Sequence, residues 1–433
     1  MASRSHVASI MSKGNPHDIL KFMQQNNSSH DILVYLFNIN RIHTLRNIIT
    51  LTPMFPFFLR PRCDMEEVVF KQLAKISPVH HKFFTCWAAY HTKMDMRQLH
   101  TKKKTSFTTI VGKYNVFVKI ANLPPLNKEK PNEEPYERIV AKNEDRFSRA
   151  CTVLSLANLS FGLPPFSYTL NTKNRMYSTT VSCGKTLYKD RIALKDVFPQ
   201  IVLALWSLRL RNLVHYDLHL RNVVTEKIPS TEVFYAWLFR NGFDTPVMRN
   251  PSDIIEGFCM TTKNRVCLID GGLSMPVDQP RETLTDHLLD DNRNCDWYDI
   301  DTSKSQQEIG QEVFERVTDL GENGKRKFIP IVLFSDIPNS AVDLVSLCVC
   351  LTFAGYDKEI VITALGHVYT LSRNDESFGF ESYIQLLLFF ESVFESFNVV
   401  HRPRRNTDFV ITLPQPGPDV NDLLDNFESA VYL

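Results

Sequence analysis

The sequence lacks an excess of charge of either sign. Its 433 residues include 49 Lys and Arg against 48 Asp and Glu, which leaves a formal net charge of +1. Nucleic-acid-binding proteins usually carry a strongly basic surface, and solvated tails carry blocks of like charge. The balance therefore argues against a nucleic-acid binder or an acidic tail protein as the identity of the whole chain, and we expect no nucleic-acid partner.

Regularly spaced cysteines are also missing. The nine cysteines are odd in number and scattered along the chain, and none of them forms a C-x-x-C pair. Disulfide frameworks and structural zinc sites depend on such spacing. We therefore expect a reducing, intracellular environment, either cytoplasmic or nuclear, or a virion if the protein is viral.

Long apolar runs are absent as well. The N-terminal stretch has no apolar core of the roughly 7–15 residues that a signal peptide needs. The longest apolar run, at residues 344–354, is shorter than the ~20 residues that span a bilayer. We therefore expect no signal peptide and no membrane span, whereas the hydrophobic content of 43% is enough for a globular core.

Residues 102–182 are predicted to form a small unit with the element order strand, strand, helix, strand, strand. The stretches Thr105–Val111 and Tyr114–Ile120 are β-prone and flank Gly112-Lys113, which suits a tight hairpin turn. A helix is predicted over 137–159, and two strands over 166–170 and 176–182. The second half is predicted to be mostly helical, with helices over 194–208, 341–354, 360–371 and 383–397.

The segment 213–224, LVHYDLHLRNVV, has the pattern of a loop between two apolar strands. It places Asp217 and Asn222 five residues apart, with His215 and His219 on either side of the aspartate. On such a loop a carboxylate can accept a proton from a hydroxyl nucleophile, and an amide oxygen can bind a metal ion. The same pattern fits a plain turn, and the histidines fit a zinc hydrolase, although no further ligand cluster completes a zinc site.

Two other segments set one charged residue among apolar neighbours. In 266–274, VCLIDGGLS, a buried strand leads Asp270 into a Gly-Gly turn, from which its carboxylate could reach a Mg²⁺ ion bound to phosphates. In 116–120, VFVKI, Lys119 extends from an apolar strand. Taken singly, these patterns also fit an ordinary turn and a strand-edge lysine.

Together these segments resemble the protein-kinase-like superfamily. The family's motifs are a catalytic loop H-R-D-x-x-x-x-N, a metal loop D-F-G, a strand lysine in V-A-I-K and a D-x-W-S start of a buried helix. The corresponding segments here, which follow the family's order, are His215–Asp217 with Asn222, Asp270–Gly272, Val116–Lys119 and Asp343–Ser346. Cys183–Leu187 is similar to the hinge that follows the small lobe.

The resemblance covers residues 100–400 and implies a role for each matching residue. Asp217 would orient the nucleophile and accept its proton, with His219 beside it in the catalytic loop. Lys119 would pair with the α- and β-phosphates of ATP, and Glu144, or alternatively Glu137, would position that lysine. Asn222 and Asp270 would hold Mg²⁺, and Asp343 would hold the backbone of the catalytic loop.

The sequence also departs from the family in three places. His219 stands where protein kinases usually have lysine, in a D-L-H-x-x-N form similar to haspin-like kinases, large-DNA-virus kinases and the aminoglycoside and choline kinase type. Gly271 replaces the Phe of D-F-G. No glycine occurs in residues 98–107, where the phosphate-covering loop is expected, although Lys102–Lys104 could neutralise phosphates there.

The predicted fold is therefore α+β and bilobal. A mostly helical extension, residues 1–98, could bind a partner; it precedes a β-rich N-lobe (99–188), a helical C-lobe (189–400) with an insertion at 225–263, and a largely mobile tail (401–433). The predicted function is an ATP- and Mg²⁺-dependent serine/threonine protein kinase acting on a protein hydroxyl. Two alternatives are a small-molecule phosphotransferase, suggested by Asp217-Leu218-His219, and a pseudokinase interaction module, suggested by the missing glycines.

Overall fold

The computed structural model of the chain describes residues 106–111, 114–125, 134–156, 159–164, 167–171, 175–181, 184–239, 254–277, 299–320, 326–328, 337, 340–401, 403, 407–413 and 424–425. The predicted N-terminal extension, residues 1–98, lies outside these ranges. So does the lysine run at 102–104.

An antiparallel sheet with one helix comes first along the described chain. Its elements are β1 (Ser106–Val111), β2 (Tyr114–Asn122), α1 (Tyr136–Leu156), β3 (Ser167–Asn171) and β4 (Arg175–Val181). The strands lie in the order β1-β2-β4-β3, and Lys119 on the inner strand β2 is opposite Ser106 of β1 and Ser178 of β4. The predicted order of strand, strand, helix, strand, strand is confirmed, with boundaries that differ by a few residues.

A larger part that contains both helices and strands follows. Its helices are α2 (Leu194–Arg209), α3 (Gln306–Arg316), α4 (Val342–Phe353), α5 (Lys358–Asn374) and α6 (Phe380–Val393). Its strands are β5 (Lys185–Thr186), β6 (Leu213–Val214), β7 (Val223–Phe239), β8 (Ile254–Leu268), β9 (Met275–Pro276), β10 (Thr318–Leu320), β11 (Arg326–Phe328), β12 (Phe397–Val400) and β13 (Phe409–Thr412). A small β-rich part ahead of a larger helical part is the α+β class that the sequence predicts, and this class is confirmed.

The core of the larger part is built around two apolar helices. Every residue of α2 from Asp196 to Leu208 is buried, and so is every residue of α4 from Val342 to Val349. Burial on all sides requires a helix that is apolar all round, which is why residues 341–354 predict a central helix. That prediction is confirmed. None of the helices in the described ranges has the length and apolar character that crossing a membrane would require.

The described part of the segment between the two candidate loops, residues 215–222 and 269–274, is built largely from strand. β7 and β8 pair antiparallel from Val223 opposite Leu268 out to Phe239 opposite Ile254. β12 extends the sheet beside β8, and β13 and β5 pair with β7. The run 232–239, EVFYAWLF, explains the length of the hairpin, since aromatic and β-branched residues favour strands.

The predicted mobile tail contains a sheet strand. Residues 409–412 form β13, which runs parallel to β7 with Phe409 opposite Val233. Ile411 and Leu413 are fully buried, with 0% and 1% exposure. The prediction of a mobile tail is therefore wrong for these residues, because β13 pairs with β7 and the side chains of Ile411 and Leu413 are buried in the core.

Replacement of Ile411 by Ala is expected to destabilise the protein. The change leaves a cavity in the hydrophobic core in which the Ile411 side chain is buried, and such a truncation typically costs about 2–5 kcal/mol. The midpoint of urea unfolding measures the loss, with exposed Asn398→Ala as the control. An unchanged midpoint for Ile411→Ala would contradict the placement of β13 in the sheet.

Candidate active site

The two candidate loops are brought side by side by a short strand pairing. β6, which leads into the 215–222 loop, pairs with β9, which follows the 269–274 loop, so that Leu213 is opposite Pro276. On the other side, β7 and β8 pair directly after and before these loops. The backbone N–H of Ile269 also donates to the carbonyl of Asn222 at 2.9 Å. Each loop is therefore held at both ends by the other.

Asp343 holds the backbone of the first loop. Its carboxylate accepts the backbone N–H of His215 at 2.6 Å and that of Tyr216 at 2.8 Å. The side chain is buried at the start of α4, and this burial raises the pKa of Asp343, although His215 and the two backbone donors act in the opposite direction. The prediction that Asp343 is buried and accepts backbone donors of this loop is confirmed. Tyr216 has a positive φ of 60°, a costly conformation for a residue with a side chain.

His215 contacts its own loop through one ring nitrogen and the second loop through the other. Its Nδ1 accepts the backbone N–H of Asp217 at 3.3 Å, and its Nε2 lies 3.0 Å from the carbonyl of Ile269. Because Nδ1 acts as an acceptor, a neutral ring carries its proton on Nε2 and donates it to that carbonyl. The side chain is fully buried, so His215 braces the loops and is not available to a substrate.

Asp217 and Asn222 face each other across the loop. The Asn222 amide donates to the carbonyl of Asp217 at 2.9 Å and to its carboxylate at 3.1 Å. Nε2 of His219 lies 3.7 Å from the other carboxylate oxygen, and its Nδ1 accepts the backbone N–H of Arg221. The Asp217 carboxylate is 38% exposed, so it is oriented by neighbours and still open to solvent.

Lys119 lies between two carboxylates. Its Nζ is 2.5 Å from Asp270 and 3.8 Å from Glu144. Glu144 is on α1 and is buried, and Ser178 on β4 donates to its second oxygen at 3.1 Å. Lys119 therefore joins the sheet, the helix and the second loop at one point.

Burial and neighbouring charges shift the pKa values of Lys119 and Asp270 in opposite directions. Burial alone would lower the pKa of Lys119, but the carboxylates of Glu144 and Asp270 outweigh it and raise that pKa. Burial raises the pKa of Glu144. Burial alone would also raise the pKa of Asp270, but the nearby Lys119 ammonium outweighs it and holds that pKa below the usual value. The primary ion pair is therefore Lys119 with Asp270, and Glu144 is the group that burial makes costly to ionise.

The structure decides between the two glutamates that the sequence left open for positioning Lys119. Glu144 is in ion-pair range of the lysine. Glu137 lies about two helical turns earlier on α1 and is exposed. The sequence did not point to Ser178, which donates to Glu144. Its place in the site follows from the pairing of β2 with β4, which sets Ser178 opposite Lys119.

The donor set fits a hard divalent cation. Asp270 would supply carboxylate oxygens and Asn222 an amide oxygen, and Mg²⁺ binds oxygen ligands of this kind. Among the described residues no three His, Cys, Asp or Glu side chains group as a metal-binding cluster. Mg²⁺ sites commonly use one or two carboxylates and complete the shell with water and substrate phosphates, so Asn222 and Asp270 could hold the ion jointly with a nucleotide.

Comparison with known proteins gives little independent support for any particular function. No protein-family model matches the chain, and no curated protein matches it. Among solved structures, a MAP kinase from Leishmania major is similar, with 12% sequence identity and a TM-score of 0.27, over 78% of this chain and 98% of that chain. A TM-score this low carries no weight for activity, so functional conclusions rest on the geometry of the site.

Replacement of Asp343 by Ala is expected to destabilise the protein. The backbone N–H groups of His215 and Tyr216 would lose their acceptor, and each buried donor left unpaired costs about 1–3 kcal/mol. Chemical denaturation measures the loss, with the exposed Asp301→Ala variant expected to stay within about 0.5 kcal/mol of the parent. Equal stability of both variants would contradict the anchoring role of Asp343.

Proposed function

We propose that this protein is a divergent serine/threonine protein kinase, which transfers the γ-phosphoryl group of ATP to a protein hydroxyl. One observation carries the proposal. Lys119, Glu144 and Asp270 form one charged cluster, and Asp217 and Asn222 form a hydrogen-bonded pair. The loops that carry Asp270 and Asn222 are joined by the hydrogen bond from Ile269 to Asn222, and the Asp217 carboxylate acts electrostatically on Lys119. A lysine facing two carboxylates, next to an exposed aspartate held by an amide, is a donor set suited to phosphoryl transfer.

Asp217 is proposed as the group that orients the attacking hydroxyl and accepts its proton. Its carboxylate is partly exposed and is fixed by the Asn222 amide. A general base must have such a defined direction while remaining within reach of the substrate. His219, with Nε2 3.7 Å from the same carboxylate, is proposed to donate toward the reacting groups from the position where kinases usually carry lysine.

Asn222 and Asp270 are proposed as ligands of Mg²⁺, and Lys119 as the partner of the α- and β-phosphates of ATP. When bound, the metal ion would neutralise charge on the phosphate oxygens. Lys119 pairs with Asp270 at 2.5 Å and lies 3.8 Å from Glu144. A nucleotide phosphate that contacts the Lys119 ammonium would share it with these two carboxylates.

A small-molecule phosphotransferase is the second candidate. The feature that favours it is Asp217-Leu218-His219, in which the histidine side chain faces the aspartate. The two candidates share the first chemical steps and differ in the acceptor. Phosphate transfer to a protein mixture, compared with transfer to an amino alcohol or aminoglycoside panel, distinguishes them. The pseudokinase alternative predicts nucleotide binding without turnover on either set.

Replacement of Asp217 by Asn is expected to remove most phosphoryl transfer while leaving the fold intact. The change keeps the size of the side chain and removes its basicity, and general-base catalysis typically contributes about 10²–10⁴-fold. Transfer from labelled ATP measures the rate, and the exposed Asp299→Asn variant serves as the matched control. A rate for Asp217→Asn within about tenfold of the parent would argue against the base assignment.

Replacement of Asn222 or Asp270 by Ala is expected to weaken the ATP binding that depends on Mg²⁺. Each change deletes one of the two proposed oxygen ligands, and water must take its place on the ion. Calorimetric titration of ATP with and without Mg²⁺ tests this, with Asn398→Ala as a control. Unchanged metal dependence in both variants would rule out the proposed ligands.

A further inference from the structure

Gly271, the residue after Asp270, has no side chain, and the Phe147 side chain of α1 occupies the space beside it. A Cβ atom built on Gly271 would lie 2.0 Å from Cγ and 2.2 Å from Cβ of Phe147. Its φ is not the reason for a glycine, since among described glycines only Gly184 and Gly355 have positive φ. Gly271 is therefore needed for the close approach of the Phe147 ring.

Phe147 reaches this place from the middle of α1. The side chain is only 2% exposed, and its ring meets the ring of His215 edge-on, with centroids 5.4 Å apart and planes at 86°. Such T-shaped aromatic contacts are favourable. One ring thus contacts the second loop at Gly271 and the first loop at His215.

The same face of α1 carries the other contacts to this loop. Val140, Glu144 and Phe147 follow each other at intervals of four and three residues, which places them on one side of a helix. A Cβ built on Gly272 would lie 3.0 Å from Val140 and 3.7 Å from Glu144. This face of α1 therefore lies directly on the Asp270-Gly271-Gly272 turn.

We propose that Phe147 is the positioning residue for Asp270, and that α1 supplies the aromatic packing that the loop itself lacks. Phe147 does not touch the reacting groups; it holds the turn from which Asp270 extends. The consequence for catalysis rests on the proposed function. Glu144 and Phe147 lie on one helix face, so α1 contacts both Lys119 and the turn that carries Asp270.

An exchange of the side chains at positions 147 and 271 distinguishes a positioning role of Phe147 from a role in general core packing. The variants are Phe147→Gly, Gly271→Phe and the double variant carrying both changes. Glycine is chosen at 147 because even the Cβ of that residue would lie 2.2 Å from a Cβ at 271. The matched control is Phe390→Gly, which removes an equally buried ring from the helix α6, on which none of the proposed site residues lies.

Amide hydrogen exchange of the segment 269–275 is the first readout, because it needs neither nucleotide nor turnover. Phe147→Gly and Gly271→Phe are each expected to speed exchange there by about tenfold or more through local opening. The double variant is expected to return close to the parent, and Phe390→Gly to leave the segment unchanged. A double variant as fast as Phe147→Gly, or an equal effect of Phe390→Gly, would overturn the proposal.

Milder variants keep the test decisive if Phe147→Gly does not fold. Gly271→Ala places a methyl group against Phe147 at 2.0 Å, whereas Gly272→Ala meets Val140 at 3.0 Å. Gly271→Ala is therefore expected to speed exchange of the segment more than Gly272→Ala does. Equal effects of the two alanines would contradict the packing of Phe147 on Gly271.

The second readout is the pair of kinetic constants kcat and KM for MgATP. Together with hydrogen exchange, it distinguishes a failure of the role of Phe147 from a failure of the proposed function. Phe147→Gly is expected to reduce kcat/KM by about tenfold or more, and the exchange of residues is expected to recover it, because misplacement of a positioned group is costly. If no variant, including the parent, turns over ATP, the proposed function fails. The hydrogen-exchange pattern would still decide the role of Phe147.

Discussion

The two backbone hydrogen bonds accepted by Asp343 are the interaction on which the site depends. They hold His215 and Tyr216 in a loop that includes a positive φ at Tyr216. Held in this way, the His215 ring can join the loop to Ile269. A buried carboxylate at the head of the central helix α4 therefore sets the geometry of residues far away in sequence, and strained backbone persists because the surrounding core fixes it.

Charge balance is the second constraint. Asp270 and Glu144 bring two carboxylates to one lysine, with one pair at 2.5 Å and the other at 3.8 Å. Burial disfavours the ionised form of Glu144, and the Lys119 ammonium offsets this only in part. The pKa of Glu144 is raised and that of Asp270 is lowered around the same lysine, and such displaced pKa values are more typical of a functional site than of a neutral structural contact.

Much of the local structure could be predicted because it depends on neighbours in sequence. The strand, strand, helix, strand, strand order follows from alternation and periodicity, and the burial of α4 follows from its continuous apolar character. The lengths of β7 and β8 and the strand β13 could not be predicted in the same way. Short β-prone runs become strands only when a partner edge is available, and Phe409–Thr412 finds that partner in β7.

The sequence by itself determined which residue types are present for chemistry and the spacing within each segment, such as the five residues from Asp217 to Asn222. Only the tertiary structure decided which distant residues meet. It selected Glu144 over Glu137 beside Lys119, added Ser178 through strand register, and brought Phe147 against Gly271. The physical reason is that spacing along the chain fixes local geometry, whereas contacts between elements depend on how their faces pack.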